Sequence, residues 1–281
     1  MEISERLRLL GVAPCSDTFE ARFEVLPPER GPIATRARAA VATPMVSCLM
    51  VTRGEPGLMR QAVTCYQRQT WARRELVVVT AEGDPRVVQT VLADAGVRQA
   101  VLASVGPGLT LGDLRNLAVA RAQGEILVQW DDDDLYDPSR VATAVAVLGA
   151  SGASAAFLDR WLIWWPAREL AAISRRQVCE GTMAIRRDSA RVYPAAAQAE
   201  DSDLLRRLQH DEPIALVDGP LQYVYVVTGR NTWDAAHFEA EIGRAEHVFQ
   251  GEAYQDLLDL LAARLPVRAH AAHLATSAAA R

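Results

Sequence analysis

A chain of 281 residues, half of them hydrophobic, can fill one large core with terminal extensions, or two small domains. Its net charge of −5, with the basic residues scattered and all of them arginine, excludes a nucleic-acid footprint. Four cysteines without paired spacing (Cys15, Cys48, Cys65, Cys179) argue against zinc or disulfides and for a reducing, cytoplasmic setting.

Met1-Glu2-Ile3-Ser4-Glu5-Arg6 lacks the basic start and apolar stretch of a signal peptide. Up to residue 43, charged and apolar positions alternate, broken by Pro27-Pro28 and Gly31-Pro32, which predicts an arm of one or two short helices and a linker. Pro44 opens a strand-length apolar run, Met45-Val46-Ser47-Cys48-Leu49-Met50-Val51. Pro56-Gly57 starts a helix with Leu58, Ala62, Cys65, Tyr66 and Gln69 on one face. Strands at 75–79 and 97–102 alternate with helices at 85–95 and 111–122, the last closed by Gly124. Glu125-Ile126-Leu127-Val128-Gln129-Trp130 then leads into four consecutive aspartates, Asp131, Asp132, Asp133 and Asp134.

The uncharged stretch 141–158 approaches bilayer length, but Gly149, Gly152 and its small residues favour a buried helix running into a strand. Beyond it, 155–165, 182–186, 214–217 and 221–227 read as strands and 201–209 as a helix. Two helices follow at 233–249 and 252–265, the second with a packing stripe of Tyr254, Leu257, Leu258, Leu261 and Leu265. The Ala/His-rich segment after Pro266 is expected to be disordered. The fold class is therefore α/β: a mainly parallel, Rossmann-like sheet flanked by helices, with a mixed second half and helical terminal extensions. The boundaries fall at 1–43, 44–235 (a regular half to 150 and a mixed half, 151–235) and 236–281.

Adjacent carboxylates in the tetrad repel by about 3 kcal/mol per pair at an effective dielectric near 20. At the carboxyl edge of a parallel sheet they favour a hard divalent cation that leaves positions open for phosphate; a solvated acidic loop is the plainer alternative. Two more acidic groups fall in comparable places: Glu82 with Asp84, and Glu200-Asp201-Ser202-Asp203 at a helix start. A helix N-terminus favours an ionised carboxylate, which suits a general base, although Asp201 or Ser202 would equally serve as a helix cap.

In chain order, these features resemble family 2 glycosyltransferases of the A-type nucleotide-sugar fold. The resemblance rests on the run from Pro44 to Thr52-Arg53, on Glu75-Leu76-Val77-Val78-Val79, and on Leu114-Arg115-Asn116-Leu117-Ala118 with Ala122-Gln123-Gly124-Glu125. It continues through the aspartates to Leu135-Tyr136-Asp137-Pro138, then Gly181-Thr182-Met183-Ala184-Ile185-Arg186-Arg187 and Glu200-Asp201-Ser202-Asp203-Leu204-Leu205. It spans residues 44 to about 240. A lone D-x-D motif is weak; these features together, in family order, are specific.

The resemblance implies an inverting enzyme, with a nucleotide-sugar half (44–150) and an acceptor half (151–235). It puts Mg²⁺ or Mn²⁺ on Asp133, with Asp131 reaching the ribose or a metal-bound water, and Asp132 and Asp134 in support. Thr52, Arg53 and Glu55 would cradle the nucleoside, with Arg115 near the nucleotide. Asp201 would be the base, with Glu200 beside it, and Gly181 and Thr182 would line the acceptor side. The family's nucleobase-reading aspartate is replaced by Thr80-Ala81-Glu82-Gly83-Asp84, where Glu82 could substitute; the nucleobase stays open.

Some enzymes of this type complete the metal shell with a downstream histidine, which makes His237 a candidate; a histidine on an amphipathic helix is more often structural. Trp164, in the tryptophan-dense run 160–165, is an acceptor-side candidate against a core role. The expected partners are a nucleoside-diphosphate sugar and an acceptor of unspecified identity, with no nucleic acid. Without a transmembrane segment, only peripheral membrane association is open; oligomeric state is not encoded in any motif. Two rivals remain: a catalytically silent nucleotide-sugar binding protein, and a nucleotidyltransferase. The second is disfavoured because the loop 52–57 is too poor in glycine for a phosphate cradle.

Overall fold

The computed structural model describes residues 3–9, 11–12, 22–31, 43–81, 84–97 and 100–279. Helix α1 (Ile3–Leu9) and strand β1 (Arg22–Leu26) come first. The alternating region follows as β2 (Val46–Thr52), α2 (Pro56–Gln67), β3 (Arg74–Thr80), α3 (Pro85–Asp94), β4 (Ala100–Ser104), α4 (Leu111–Arg121) and β5 (Ile126–Gln129). Proline at the first turn starts both α2 and α3, because its missing N–H is one that a helix start leaves unbonded anyway. Thr110 and Asp113 cap α4 reciprocally. Gly124 is predicted as a helix-ending residue, yet its use is different. An added Cβ would lie 2.6 Å from the Ser47 nitrogen, so only glycine lets the α4–β5 connection press against β2.

The mixed half runs β6 (Leu135–Tyr136), α5 (Arg140–Ser151), β7 (Ala155–Leu158), β8 (Leu162–Trp165), β9 (Leu170–Ile173), β10 (Cys179–Arg186), α6 (Glu200–Asp211), β11 (Ile214–Asp218) and β12 (Tyr223–Val226). The C-terminal part holds α7 (Ala235–Gly243), β13 (His247–Phe249), α8 (Glu252–Ala262) and α9 (Val267–Ala279).

The main sheet has eight strands in the order β1-β11-β7-β10-β5-β2-β3-β4. β5, β2, β3 and β4 pair in parallel, as do β7 and β11; β10 and β1 run antiparallel to their neighbours. Alternate residues of β2 go to opposite faces: Val46, Cys48 and Met50 to one core, Leu49 to the other. Both faces are therefore covered by helices, as the near-continuous apolar runs require. A second sheet, β13-β9-β8-β12-β6, packs beside the first. Burial pushes the Cys48 and Cys65 thiols up to about 12, so they act as small core residues. Cys15 lies outside the described residues. Among the described residues no helix is long and apolar enough to cross a membrane.

Four expectations need correction. The N-terminal arm contributes a strand, because the edge of β11 offers unpaired backbone that β1 completes from Arg22↔Asp218 to Leu26↔Ile214. The run 155–165 is two strands in two sheets. Between them the fully buried Arg160 guanidinium pairs with Asp218 at 2.6 Å and Glu246 at 2.8 Å, a long-range requirement that apolar patterning hides. The helix expected over 233–249 stops at Gly243, and His247, Val248 and Phe249 join β9 as a strand. Finally, the segment after Pro266 is helix α9, not a disordered tail: alanine is the best helix former, and Val267 and His270 are buried beneath it.

His270 has both ring nitrogens buried without hydrogen-bond partners. Burial, and secondarily His273, pulls its pKa down to about 4. Below pH 6.5 the unfolded chain takes up this proton first, so stability falls from about pH 6.5 and levels off near 4. The loss is about 3 kcal/mol in total. His270→Leu is expected to raise Tm and to flatten the thermal-melt profile across that window; an unchanged profile would contradict the assignment.

Candidate functional site

β5 delivers the tetrad between the ends of β2 and β10, and Trp130 anchors the delivery. Its indole donates to the Ala62 carbonyl at 3.1 Å and stacks on Tyr136 with ring centroids 3.9 Å apart. The Asp131 backbone N–H donates to the Tyr136 hydroxyl at 2.6 Å, which closes the acidic turn onto β6.

The four carboxylates then go four different ways. Asp131 accepts from Arg115 Nη2 at 3.0 Å and from Gln129 Nε2 at 3.1 Å. Asp132 accepts from the Thr52 hydroxyl, which ties the tetrad to the end of β2. Asp133 accepts from Asn231 Nδ2 at 3.1 Å, in the loop after β12. Asp134 accepts from the Tyr223 hydroxyl and, at 2.9 Å, from the Val226 N–H, so both its oxygens are spent holding the second sheet. Burial and the neighbouring carboxylates push Asp132 up to about 6 and Asp133 well above the usual carboxylate range.

On the other wall, α6 begins after Ala199, a non-glycine residue in the left-handed region at φ 58°. Such a conformation costs about 1–3 kcal/mol and is commonly kept where a site demands it. Ala199 occupies the N-cap position, so neither Asp201 nor Ser202 is the helix cap that the sequence allows. Glu200 is 2 % exposed and accepts from Arg115 Nε at 2.7 Å. Burial pushes its carboxyl up, Arg115 pulls it back, and Asp201 pushes it up again. Asp201 is half-buried and accepts from the Ser202 N–H at 2.9 Å. The Ser202 hydroxyl donates to Glu180 at 3.1 Å, and burial followed by Asp201 raises the Glu180 carboxyl. Next to Glu180, a Cβ on Gly181 would lie 3.8 Å from Asp131 Oδ2 and 3.3 Å from the Tyr223 hydroxyl.

One guanidinium thus spans the tetrad and the head of α6. Glu200, Arg115, Asp131 and Gly181 are contiguous, with Asp201 and Glu180 alongside. Arg115 is therefore occupied by two carboxylates rather than open to a nucleotide. A small apolar cavity lined by Val51, Ala118, Met183, Tyr193 and Leu204 meets this group at Arg115 and Gln129.

Other sequence candidates lie elsewhere or do other work. Glu55 caps α2, accepts from Arg230 Nη1 at 2.6 Å, and lies 3.6 Å from His273 Nε2 on α9. Arg53, exposed, lowers Asp132 electrostatically. Thr182 is buried: its hydroxyl donates to the Cys179 carbonyl at 2.7 Å and accepts from the Leu158 N–H at 2.8 Å, so it shapes β10. Trp164 is a correction. It is fully buried and its indole donates to the Tyr254 hydroxyl at 3.1 Å, which makes it core and not an acceptor platform. The His237 ring stacks on Trp233 at 4.7 Å, and Asn231 reaches the tetrad at Asp133. Glu82 lies outside the described residues; Asp84 caps α3.

The Asp131 and Asp133 carboxylates offer only oxygen, and Gln129, whose Nε2 meets Asp131, has its buried Oε1 without a hydrogen-bond partner. The carboxylates are held against mutual repulsion, so they fit a hard divalent cation. Among the described residues no three His, Cys, Asp or Glu side chains converge to enclose an ion. A cation there would take its remaining ligands from phosphate or water.

No protein-family model matches the chain, and no curated protein matches it in sequence. Solved structures do match. Staphylococcus aureus TarS (residues 1–349) is 14% identical, with a TM-score of 0.53 over 71% of this chain and 70% of that one. The same protein with UDP-GlcNAc is 15% identical, with a TM-score of 0.51 over 65% of this chain and 58% of that one. The mannosyltransferase PcManGT from Pyrobaculum calidifontis, with GDP-Man and Mn²⁺, is 18% identical, with a TM-score of 0.54 over 84% and 75%. The chain has the fold of these structures, which is the A-type nucleotide-sugar fold that its sequence motifs imply.

Proposed function

We propose that the chain is an inverting, divalent-cation-dependent glycosyltransferase that moves a sugar from a nucleoside-diphosphate sugar to an acceptor hydroxyl. The observation that carries this reading is Arg115, which joins Asp131 at 3.0 Å to Glu200 at 2.7 Å and so links a donor wall to an acceptor wall. The donor class is supported by the neighbours solved with UDP, UDP-GlcNAc and GDP-Man, and cation use by the Mn²⁺ beside GDP-Man.

Asp131 and Asp133 would hold Mg²⁺ or Mn²⁺. When bound, the cation supplies positive charge against the departing diphosphate. Asp201, in the first turn of α6, accepts the proton of the acceptor hydroxyl. The acceptor oxygen bonds to the anomeric carbon from the face opposite the diphosphate. The bond from that carbon to the diphosphate oxygen breaks, its electron pair leaves with the nucleoside diphosphate, and configuration inverts. Glu200 is unsuited to the same task because it is buried and engaged by Arg115. No covalent intermediate is needed, and Cys48, Cys65 and Cys179 are all buried and unpaired, which also fits a cytoplasmic setting.

The test is turnover of a panel of nucleotide sugars, following nucleoside diphosphate release and product configuration. Asp201→Asn is expected to lose about a hundredfold or more in kcat with little change in donor affinity. Full activity in that variant would remove the base assignment, and release of pyrophosphate would point to nucleotidyl transfer.

A further inference from the structure

The loop after β12 reaches across the donor side at two points. Arg230 Nη1 pairs with Glu55 Oε2 at 2.6 Å, and Asn231 Nδ2 donates to Asp133 Oδ2 at 3.1 Å. With the Thr52–Asp132 hydrogen bond, these contacts close a ring through the 52–55 loop, the tetrad and residues 228–231. The loop is stitched internally. Asn231 Oδ1 accepts from the Thr228 N–H at 2.8 Å, Asn231 Nδ2 also donates to the Val226 carbonyl at 2.9 Å, and the Arg230 N–H donates to the Thr228 hydroxyl at 3.1 Å. Gly229, at φ +74°, makes the bend that a side chain would resist. Thr228 and Asn231 therefore form a preshaped strap, with Arg230 projecting from it.

We propose that Arg230 is a diphosphate-binding residue that Glu55 holds in reserve, and that donor binding moves it from that carboxylate to the phosphates. The inference rests on the glycosyltransferase reading of the same site. The Arg230–Glu55 pair has side chains 42% and 29% exposed, and a solvated ion pair of that kind is weak. A diphosphate offers more charge and a bidentate oxygen set for the guanidinium fork. Glu55 keeps its place after the exchange, since it also accepts from the Gly57 N–H at 3.4 Å and faces His273 at 3.6 Å. Glu55 is then a competitor of the donor, not the donor ligand that its position in the sequence suggests.

The two roles give opposite signs. Calorimetric titration of UDP and GDP, each with Mn²⁺, into the full chain separates them. Arg230→Ala is expected to weaken the better-bound diphosphate about tenfold. Glu55→Gln, which retains an oxygen for the α2 cap, is expected to tighten it a few-fold. In the Arg230→Ala background, Glu55→Gln is expected to change nothing, because the competition has been removed. Trp233, exposed and two residues beyond Asn231, should report the strap's movement as a diphosphate-dependent fluorescence change that Arg230→Ala abolishes. Wild type that binds neither diphosphate overturns the glycosyltransferase reading and this inference with it. Wild type that binds while Arg230→Ala binds as tightly, or while Glu55→Gln binds more weakly, overturns the inference alone.

Discussion

Arg115→Met is expected to be the single substitution in the site that costs the most stability. Methionine keeps the apolar stem of arginine but removes the guanidinium, and with it the charge that Glu200, 2 % exposed, requires. Breaking a buried pair by deleting one partner costs about 3–5 kcal/mol, because the surviving charge stays buried and unmatched. Turnover is expected to fall at least about a hundredfold, since the Asp131 carboxylate and the head of α6 lose their common tether. The stability loss has a definite pH sense. Without Arg115 the Glu200 carboxyl rises further above its unfolded value, so the penalty is absent in acid, where both states are protonated. It grows as pH rises through the folded pKa. Thermal melts at pH 5 and pH 8 should therefore show the larger deficit at pH 8. The double variant Arg115→Met/Glu200→Gln should recover much of the stability and none of the activity. If the single variant melted like wild type at pH 8, the bridge would have no structural weight.

Asp133→Asn should have the opposite effect on stability. Burial and two carboxylate neighbours disfavour an ionised Asp133, so a neutral isostere relieves repulsion while an amide oxygen remains for Asn231. The variant is expected to melt higher than wild type in chelator, to lose the thermal shift given by Mn²⁺, and to lose turnover by about a thousandfold. Asp132, raised to about 6, works in the same direction. In chelator, the contribution of these carboxyls to stability should fall as pH rises from about 4 to about 6, opposite in sign to that of His270, because the unfolded carboxyls ionise first and the folded ones resist. Added cation should restore more at pH 7 than at pH 5, where protons compete for the same oxygens. A Mn²⁺ shift that persists in Asp133→Asn would place the ion elsewhere.

The parallel half of the sheet was legible because its signals are local. Proline starts and apolar runs each act within a few residues, and the strands 46–52 and 74–80 follow from them. The acidic tetrad and the head of α6 were visible as residues but not as partners, since Arg115, Asp131 and Glu200 are far apart in the chain. Nothing in a sequence window indicates that one guanidinium will join two of them. The same reason hid Asn231 and Arg230: a short polar loop after a strand looks like any other, and only its approach to Asp133 and Glu55 gives it meaning. Trp164 misled in the opposite way, because an aromatic ring suits a ligand site and a core equally. The 155–165 run misled because an apolar stretch does not disclose a switch between sheets at a buried arginine. Helix α9 was hidden because its Ala/His-rich composition reads as a tail, while the burial of Val267 and His270 that fixes it depends on the rest of the fold.

The central claim is that the tetrad binds a nucleoside diphosphate through a cation while Asp201 serves the acceptor alone. Calorimetric titration of UDP and GDP into wild type, Asp133→Asn and Asp201→Asn, with Mn²⁺ and with chelator, tests it most directly. The account expects Mn²⁺-dependent binding of one diphosphate by wild type, retained in Asp201→Asn and lost in Asp133→Asn. Binding that ignores the cation, or that survives Asp133→Asn undiminished, would contradict it.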